Sequence, residues 1–283
     1  MHYEFCITSI DAKTIIYRPK TERGRTKAMK PDNFIAVFDS GVGGISVLRQ
    51  LRKLMPGERY IYFGDSANAP YGSRPTSQVR DLTLAAAEKL YRDYPVKALV
   101  VACNTATSAA INDLRAKYPQ RIIVGIEPAL KLATDRHPGG RIGVMATQVT
   151  LQEEKFSRLL NRCGDSCTVH RIPAPGLVEL IESDRRDSPE AMAFLHNLLD
   201  PYAGQLDALV LGCTHYPFVK RNIQTILGPG TEILHGGQGT ARETRRRLEA
   251  AGLLHSGPGE VIMTNSLEDP RLIALGNQLL NAR

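Results

Sequence analysis

Two cysteines stand in matching surroundings. Ala98-Leu99-Val100-Val101-Ala102-Cys103 and Ala208-Leu209-Val210-Leu211-Gly212-Cys213 each run from apolar residues through a small residue to a thiol, 110 positions apart. Asn104-Thr105 follows the first and Thr214-His215 the second. A thiol becomes a usable base near neutral pH when its pKa is lowered. A strand end feeding a helix N-terminus does this, because unpaired backbone N–H groups favour negative charge. Two thiols facing each other across a cleft admit two chemistries. A redox couple normally has its partners close in sequence, as in Cys-x-x-Cys. In two-base proton transfer, one thiolate removes a proton from carbon and the opposite thiol returns one to the other face, inverting a stereocentre. Asp39 and His215 are the polar residues available to adjust the two protonation states. Cys163 and Cys167 bracket a Gly-Asp-Ser turn without a supporting Cys/His pair, so no metal site is expected there. Cys6 reads as inert.

The elements that must position these thiols alternate strictly. Phe34–Phe38 is an apolar run of strand length. After Asp39-Ser40-Gly41-Val42-Gly43-Gly44, helical spacing of Ile45, Leu48, Leu51 and Met55 follows, ending at Pro56-Gly57. Strands are predicted near 59–63, 98–102, 121–126, 141–145, 167–172, 208–212, 231–234 and 260–263. Helices are predicted near 76–93, 105–117, 128–136, 148–162, within 176–204, and near 216–227, 239–251 and 268–281. Such alternation implies parallel sheets covered by helices on both faces, with ligands at the carboxyl ends of the strands. Asp39, Cys103 and Cys213 all fall at such ends. Phe34–Phe38 followed by Asp39-Ser40-Gly41 also matches Arg141–Met145 followed by Ala146-Thr147-Gln148, at an offset of 107. We therefore expect an α/β protein of two similar domains, each a mainly parallel sheet flanked by helices, with the active site in the interdomain cleft. The first domain would be discontinuous, 34–125 plus 236–283, enclosing a second at 126–235; residues 1–33 would be a basic N-terminal extension.

Bulk properties agree with a globular protein: 283 residues, 42% hydrophobic and 23% charged. No apolar run approaches the ~20 residues of a membrane span. An odd count of five scattered cysteines is no disulfide framework and points to the cytoplasm. Of the net charge of +7, residues 1–30 hold +4. This leader is the only feature suited to nucleic acid, and no nucleic-acid module accompanies it. The turn at Asp39–Gly44 lacks the Gly-Lys-Ser/Thr of a P-loop, which excludes phosphate binding of that kind, but its backbone N–H groups suit a carboxylate. Gly236-Gly237-Gln238-Gly239 reads as a simple turn.

Five blocks together carry a resemblance: Phe38–Gly44, Tyr62-Phe63-Gly64-Asp65-Ser66, Pro70-Tyr71-Gly72, Ala102–Ala106 and Leu211–Pro217. In order and over the chain from Phe34 onward, they resemble the signature blocks of the glutamate racemases. Those are cofactor-independent enzymes that supply D-glutamate to bacterial peptidoglycan. The resemblance implies that Cys103 acts on D-glutamate and Cys213 on L-glutamate, assisted by Asp39 and His215 respectively. It implies substrate contacts from Ser40, Tyr71, Gly72, Asn104, Thr105 and Thr214, with Asp65 and Glu182 as accessory acids. Neither pyridoxal phosphate nor a metal is implied. Histidine after Cys213-Thr214 favours glutamate over aspartate, since aspartate racemases resemble this block with an acidic residue there. The leader resembles N-termini of family members activated by a UDP-linked muramyl precursor. A DNA- or topoisomerase-binding role for it is the alternative of another class. A monomer or homodimer is expected. One departure stands out: the family's usual Val-Asp-Ser-Gly/Ala is here Leu234-His235-Gly236-Gly237.

Overall fold

The computed structural model describes residues 34–127, 129–152, 160 and 167–282. The basic leader, Cys6, Cys163 and most of the helix expected over 148–162 lie outside those residues. Among the described residues, nine parallel strands form two sheets. The first contains β1 (Phe34–Asp39), β2 (Arg59–Gly64), β3 (Val96–Val101), β4 (Ile122–Gly125) and β9 (Glu260–Asn265), in the order β4-β3-β1-β2-β9. The second contains β5 (Arg141–Ala146), β6 (Thr168–Pro173), β7 (Ala208–Leu211) and β8 (Glu232–His235), in the order β6-β5-β7-β8.

The two orders are one order read in opposite directions. β1, β2, β3 and β4 correspond to β5, β6, β7 and β8, and β9 is an addition beyond β2. Register follows as well. Ile35 faces Tyr60 and Ala98 in the first sheet, and Ile142 faces Val169 and Ala208 in the second. Ala98 faces Ile122 as Ala208 faces Glu232.

The apolar strand runs are explained by burial on both faces. α1 (Ile45–Leu54), α9 (Gly237–Ala250) and α10 (Pro270–Asn281) cover one face of the first sheet; Leu48, Leu51, Leu248 and Leu279 fill that layer. α2 (Thr76–Asp93) and α3 (Asn104–Lys117) cover the other through Val79, Leu90 and Leu114. The second sheet is covered on one side by α4 (Leu130–Arg136) and α5 (Gln148–Gln152), which supply Leu130, Ala133 and Leu151. On the other side lie α6 (Leu177–Glu182), α7 (Pro189–Leu199) and α8 (Lys220–Leu227), which contribute Leu177, Leu195 and Ile223.

Two local expectations change. The segment after Cys213 opens with a 3₁₀ turn at Tyr216–Val219, with Pro217 in its first positions, and becomes α-helical only at Lys220. The glycines expected to form a turn at 236–239 instead start α9 at Gly237. No helix among the described residues is long and apolar enough to cross a membrane.

Candidate active site

Cys103 caps α3: its Sγ accepts from the Ala106 N–H at 3.4 Å and donates to Ser40 Oγ at 3.7 Å. The helix end favours a thiolate, yet burial outweighs it. Desolvation first, then the nearby Asp39 charge, pushes the Cys103 thiol up to about 12. Cys103 thus rests as a thiol when the cleft holds no substrate.

Cys213 has a different partner. Its Sγ lies 3.6 Å from His215 Nδ1, and His215 Nε2 lies 2.6 Å from Glu182 Oε1. Burial opposes a charged ring, but the Cys213 and Glu182 contacts together hold His215 well above the ordinary imidazole range. Burial likewise works against the Glu182 anion, and the His215 and Val42 N–H contacts overcome it, so Glu182 lies below the usual carboxylate range. The result is a Cys–His–Glu chain in which a proton can pass between sulfur and ring.

Asp39, fully buried at the end of β1, accepts from Gly41 N–H (3.1 Å) and from Thr214 Oγ1 (2.9 Å). Desolvation raises its pKa to about 6 against the lowering effects of His215, Gly41 and Thr214. Its hydrogen bond reaches across to the residue after Cys213, and it touches Cys103 only through its charge.

The glycine-rich turn does bind a carboxylate, and that carboxylate is the chain's own. Val42 N–H donates to Glu182 Oε1 at 2.7 Å. A Cβ on Gly41 would lie 1.9 Å from the same oxygen, and one on Gly43 would lie 2.4 Å from His215 Nδ1. Ser46 Oγ adds a bond to Thr214 O at 2.8 Å, so turn and second sheet are tied at three points.

Between the halves lies a cavity of about 420 Å³. Both thiols line it, with Ser40, Tyr71, Gly72, Asn104, Thr105, Thr214 and His215. Asn104 is 8% exposed and its Oδ1 has no partner, an acceptor left for a ligand. The structure does not bring Asp39, Asp65 or Glu182 to the cavity wall. Asp65 stands behind Tyr71, whose hydroxyl donates to it at 2.7 Å, and Asn68 Nδ2 binds the same carboxylate.

Sequence reasoning missed Thr147, Gln148, Gln152 and Glu179 in the wall. Thr147 was findable: it occupies the repeat position of Ser40. Its hydroxyl bonds Thr150 Oγ1 at 3.0 Å, and Thr105 of the other half lies 3.4 Å from it. A second cavity, about 620 Å³, runs beside the ends of β4 and β8 and is lined by Arg115, Arg136, Lys220, Arg242 and Arg247 among others.

Comparison with known proteins fits this architecture. A glutamate racemase of Clostridium perfringens (strain SM101 / Type A) is 46% identical over 252 residues, 88% of this chain and 96% of that one. A glutamate racemase structure from Thermus thermophilus, in complex with beta-chloro-D-alanine, is 38% identical with a TM-score of 0.74, covering 90% of this chain and 95% of that one. An Escherichia coli glutamate racemase in complex with L-glutamate and the activator UDP-MurNAc-ala is 28% identical with a TM-score of 0.73, covering 83% and 99%. The Asp/Glu/Hydantoin racemase family model matches residues 45–244, and with paired thiols at equivalent strand ends of a doubled α/β fold, the chain belongs to that family.

Proposed function

We propose that this chain interconverts L- and D-glutamate by two-base proton transfer and supplies D-glutamate for peptidoglycan in the cytoplasm. The observation that carries the reading is the pair of thiols at matching strand ends, both lining one cavity. On one face, the Cys213 sulfur, having passed its proton to His215, removes the α-hydrogen of L-glutamate as a proton. The electron pair stays on the α-carbon. Cys103, resting as a thiol, then delivers its proton to the opposite face, giving D-glutamate and a Cys103 thiolate. The reverse reaction exchanges these roles. Asp39 orients Thr214 and sets the charge near Cys103. Ser40, Asn104, Thr105 and Thr214 bind the substrate's polar groups, while Tyr71 and Gly72 shape the wall. A preorganised cavity with little water stabilises the carbanion-like transition state.

Incubation of either enantiomer in deuterated water should place deuterium at the α-carbon of the inverted product. Cys103→Ser and Cys213→Ser should each slow racemisation about 10²–10⁴-fold. Racemisation that survives both substitutions would sink the mechanism, and turnover of aspartate in place of glutamate would favour the alternative amino-acid specificity.

We take the domains to be 34–125 with 236–283, and 126–235. β9 pairs with β2, and α9 packs against α1 and β4, which supports returning the C-terminal segment to the first unit. The second cavity supports an anionic activator such as a UDP-linked muramyl precursor. Arg115, Lys220 and Arg242 line it beside Arg136 and Arg247, which are paired with Glu232 and Glu243, and the structural relative from Escherichia coli is in complex with a compound of that class. The leader's part is testable by deleting residues 1–30: activation should weaken, and unchanged activity with and without the precursor would refute it.

A further inference from the structure

The wall of the active-site cavity has an unusual charge balance for a site that takes a dicarboxylate. No lysine or arginine lines it among the described residues, and its one carboxylate is Glu179. Glu179 belongs to α6, where Leu177, Leu180 and Ile181 turn into the core; Glu179 is left exposed at the cavity, with Glu182 one turn further on. Glu179 makes no side-chain hydrogen bond or ion pair with any described residue, so its charge is uncommitted. Among the buried side-chain atoms of the wall, the unpartnered acceptor is Asn104 Oδ1, contributed by the opposite half. Donors are plentiful: the hydroxyls of Ser40, Thr105, Thr147 and Thr214 suit carboxylate oxygens.

From this partition we propose that Glu179 is a specificity residue that receives the substrate's ammonium group and selects an amino-dicarboxylate over the same dicarboxylate without nitrogen. The inference rests on the glutamate reading above and deepens it. Such a residue suits the chemistry. The α-hydrogen is acidic enough to be removed by a thiolate only while the neighbouring amino group carries its proton. A carboxylate beside the ammonium keeps that proton on and turns the two substrate carboxylates toward the hydroxyls. Without Glu179, no carboxylate among the described lining residues would favour glutamate over glutarate.

The test compares inhibition by glutarate with the KM for glutamate in the wild type, Glu179→Gln and Glu179→Asp. Glu179→Gln should lower the ratio of glutarate Ki to glutamate KM about 2–5-fold, the range of an exposed charge pair. Glu179→Asp, which keeps the charge, should stay near the wild-type ratio. An unchanged ratio in Glu179→Gln, or equal shifts in both variants, overturns the proposal. Calorimetric binding of the two ligands reads the same selectivity without turnover. Failure of wild-type deuterium exchange would therefore refute the glutamate reading separately.

Discussion

Cys103 and Cys213 reach one cavity with unlike proton partners. Cys213 has the His215 ring at 3.6 Å, backed by Glu182; Cys103 has a serine hydroxyl and one helix amide. His215→Gln removes the proton relay and should lower kcat/KM by about 10²–10⁴-fold. Racemisation has an equilibrium constant of one, so kcat/KM must fall equally in both directions. Steady-state assays from each enantiomer check this, and a fall below tenfold would show that Cys213 works without the ring. Asp39 sets the acid side. Its folded pKa is raised to about 6, so it binds a proton more readily folded than unfolded. Its contribution to stability is therefore complete below the ordinary aspartate value and is lost as pH rises through about 6. Activity runs the opposite way, since the anion orients Thr214. The kcat/KM profile should fall as pH drops through about 6, and Asp39→Asn should remove that limb while lowering kcat.

At the scale of elements, the turn between β1 and α1 joins the two halves. Gly43 lies so close to His215 and Thr214 that any side chain must push one of them away. Gly43→Ala should cost about 1–3 kcal/mol of stability, as overpacking does, and reduce kcat by more than tenfold, because the displaced group is the ring beside Cys213. Thermal denaturation and kcat measured together check this; wild-type kcat would show that the ring can yield. The strand-Cys repeat and the alternation were legible from residue order, because buried parallel strands must be apolar and helices must keep their period. The carboxylate seated on the turn was not legible. Glu182 is 140 positions from Val42, and only the docking of one sheet against the other brings them to 2.7 Å. Tyr71 and Gly72 were visible as a block, but the Asp65 bond behind Tyr71 depends on a loop whose path carries no periodic signal. The departure at Leu234-His235-Gly236-Gly237 also gains a meaning. His235, just before the N-cap Gly236, accepts from the first N–H of α9, Gly237 N–H, through Nδ1 at 3.3 Å, a bond that a carboxylate at this position could also make. Burial, then Lys220, lowers the His235 pKa. Its stabilisation is present above the ordinary histidine value and is lost as pH falls through the lowered folded one. His235→Asp keeps the acceptor and should flatten the loss of melting temperature between pH 8 and pH 5; an unchanged pH dependence would show that the bond does not matter.

Over the whole molecule, the chain passes between the halves after β4 and returns after β8, and these two crossings touch. A Cβ on Gly236 would lie 2.2 Å from the Glu127 carbonyl oxygen and 2.9 Å from an Ile126 side-chain carbon. A flexible side chain could move aside, but a backbone carbonyl at a crossing cannot move without carrying a domain with it. The serine usual at this position in the family therefore does not fit the crossing as it is packed here. Gly236→Ser should separate the two crossings and open the angle between the sheets. The thiols sit on opposite sheets, so their alignment across the cavity would loosen, and kcat should fall more than KM changes. The stability loss should be about 1–3 kcal/mol. The second cavity shares this place, with Gly236, Glu127 and Arg115 in its wall. An anion held there by Arg115 of the first half and Lys220 of the second would bridge the two halves and oppose the opening. Pyrophosphate is a suitable probe: it should restore part of the lost kcat in Gly236→Ser while changing the wild type little. If Gly236→Ser melts and turns over like the wild type, the contact between crossings does not govern how the two thiols meet their substrate.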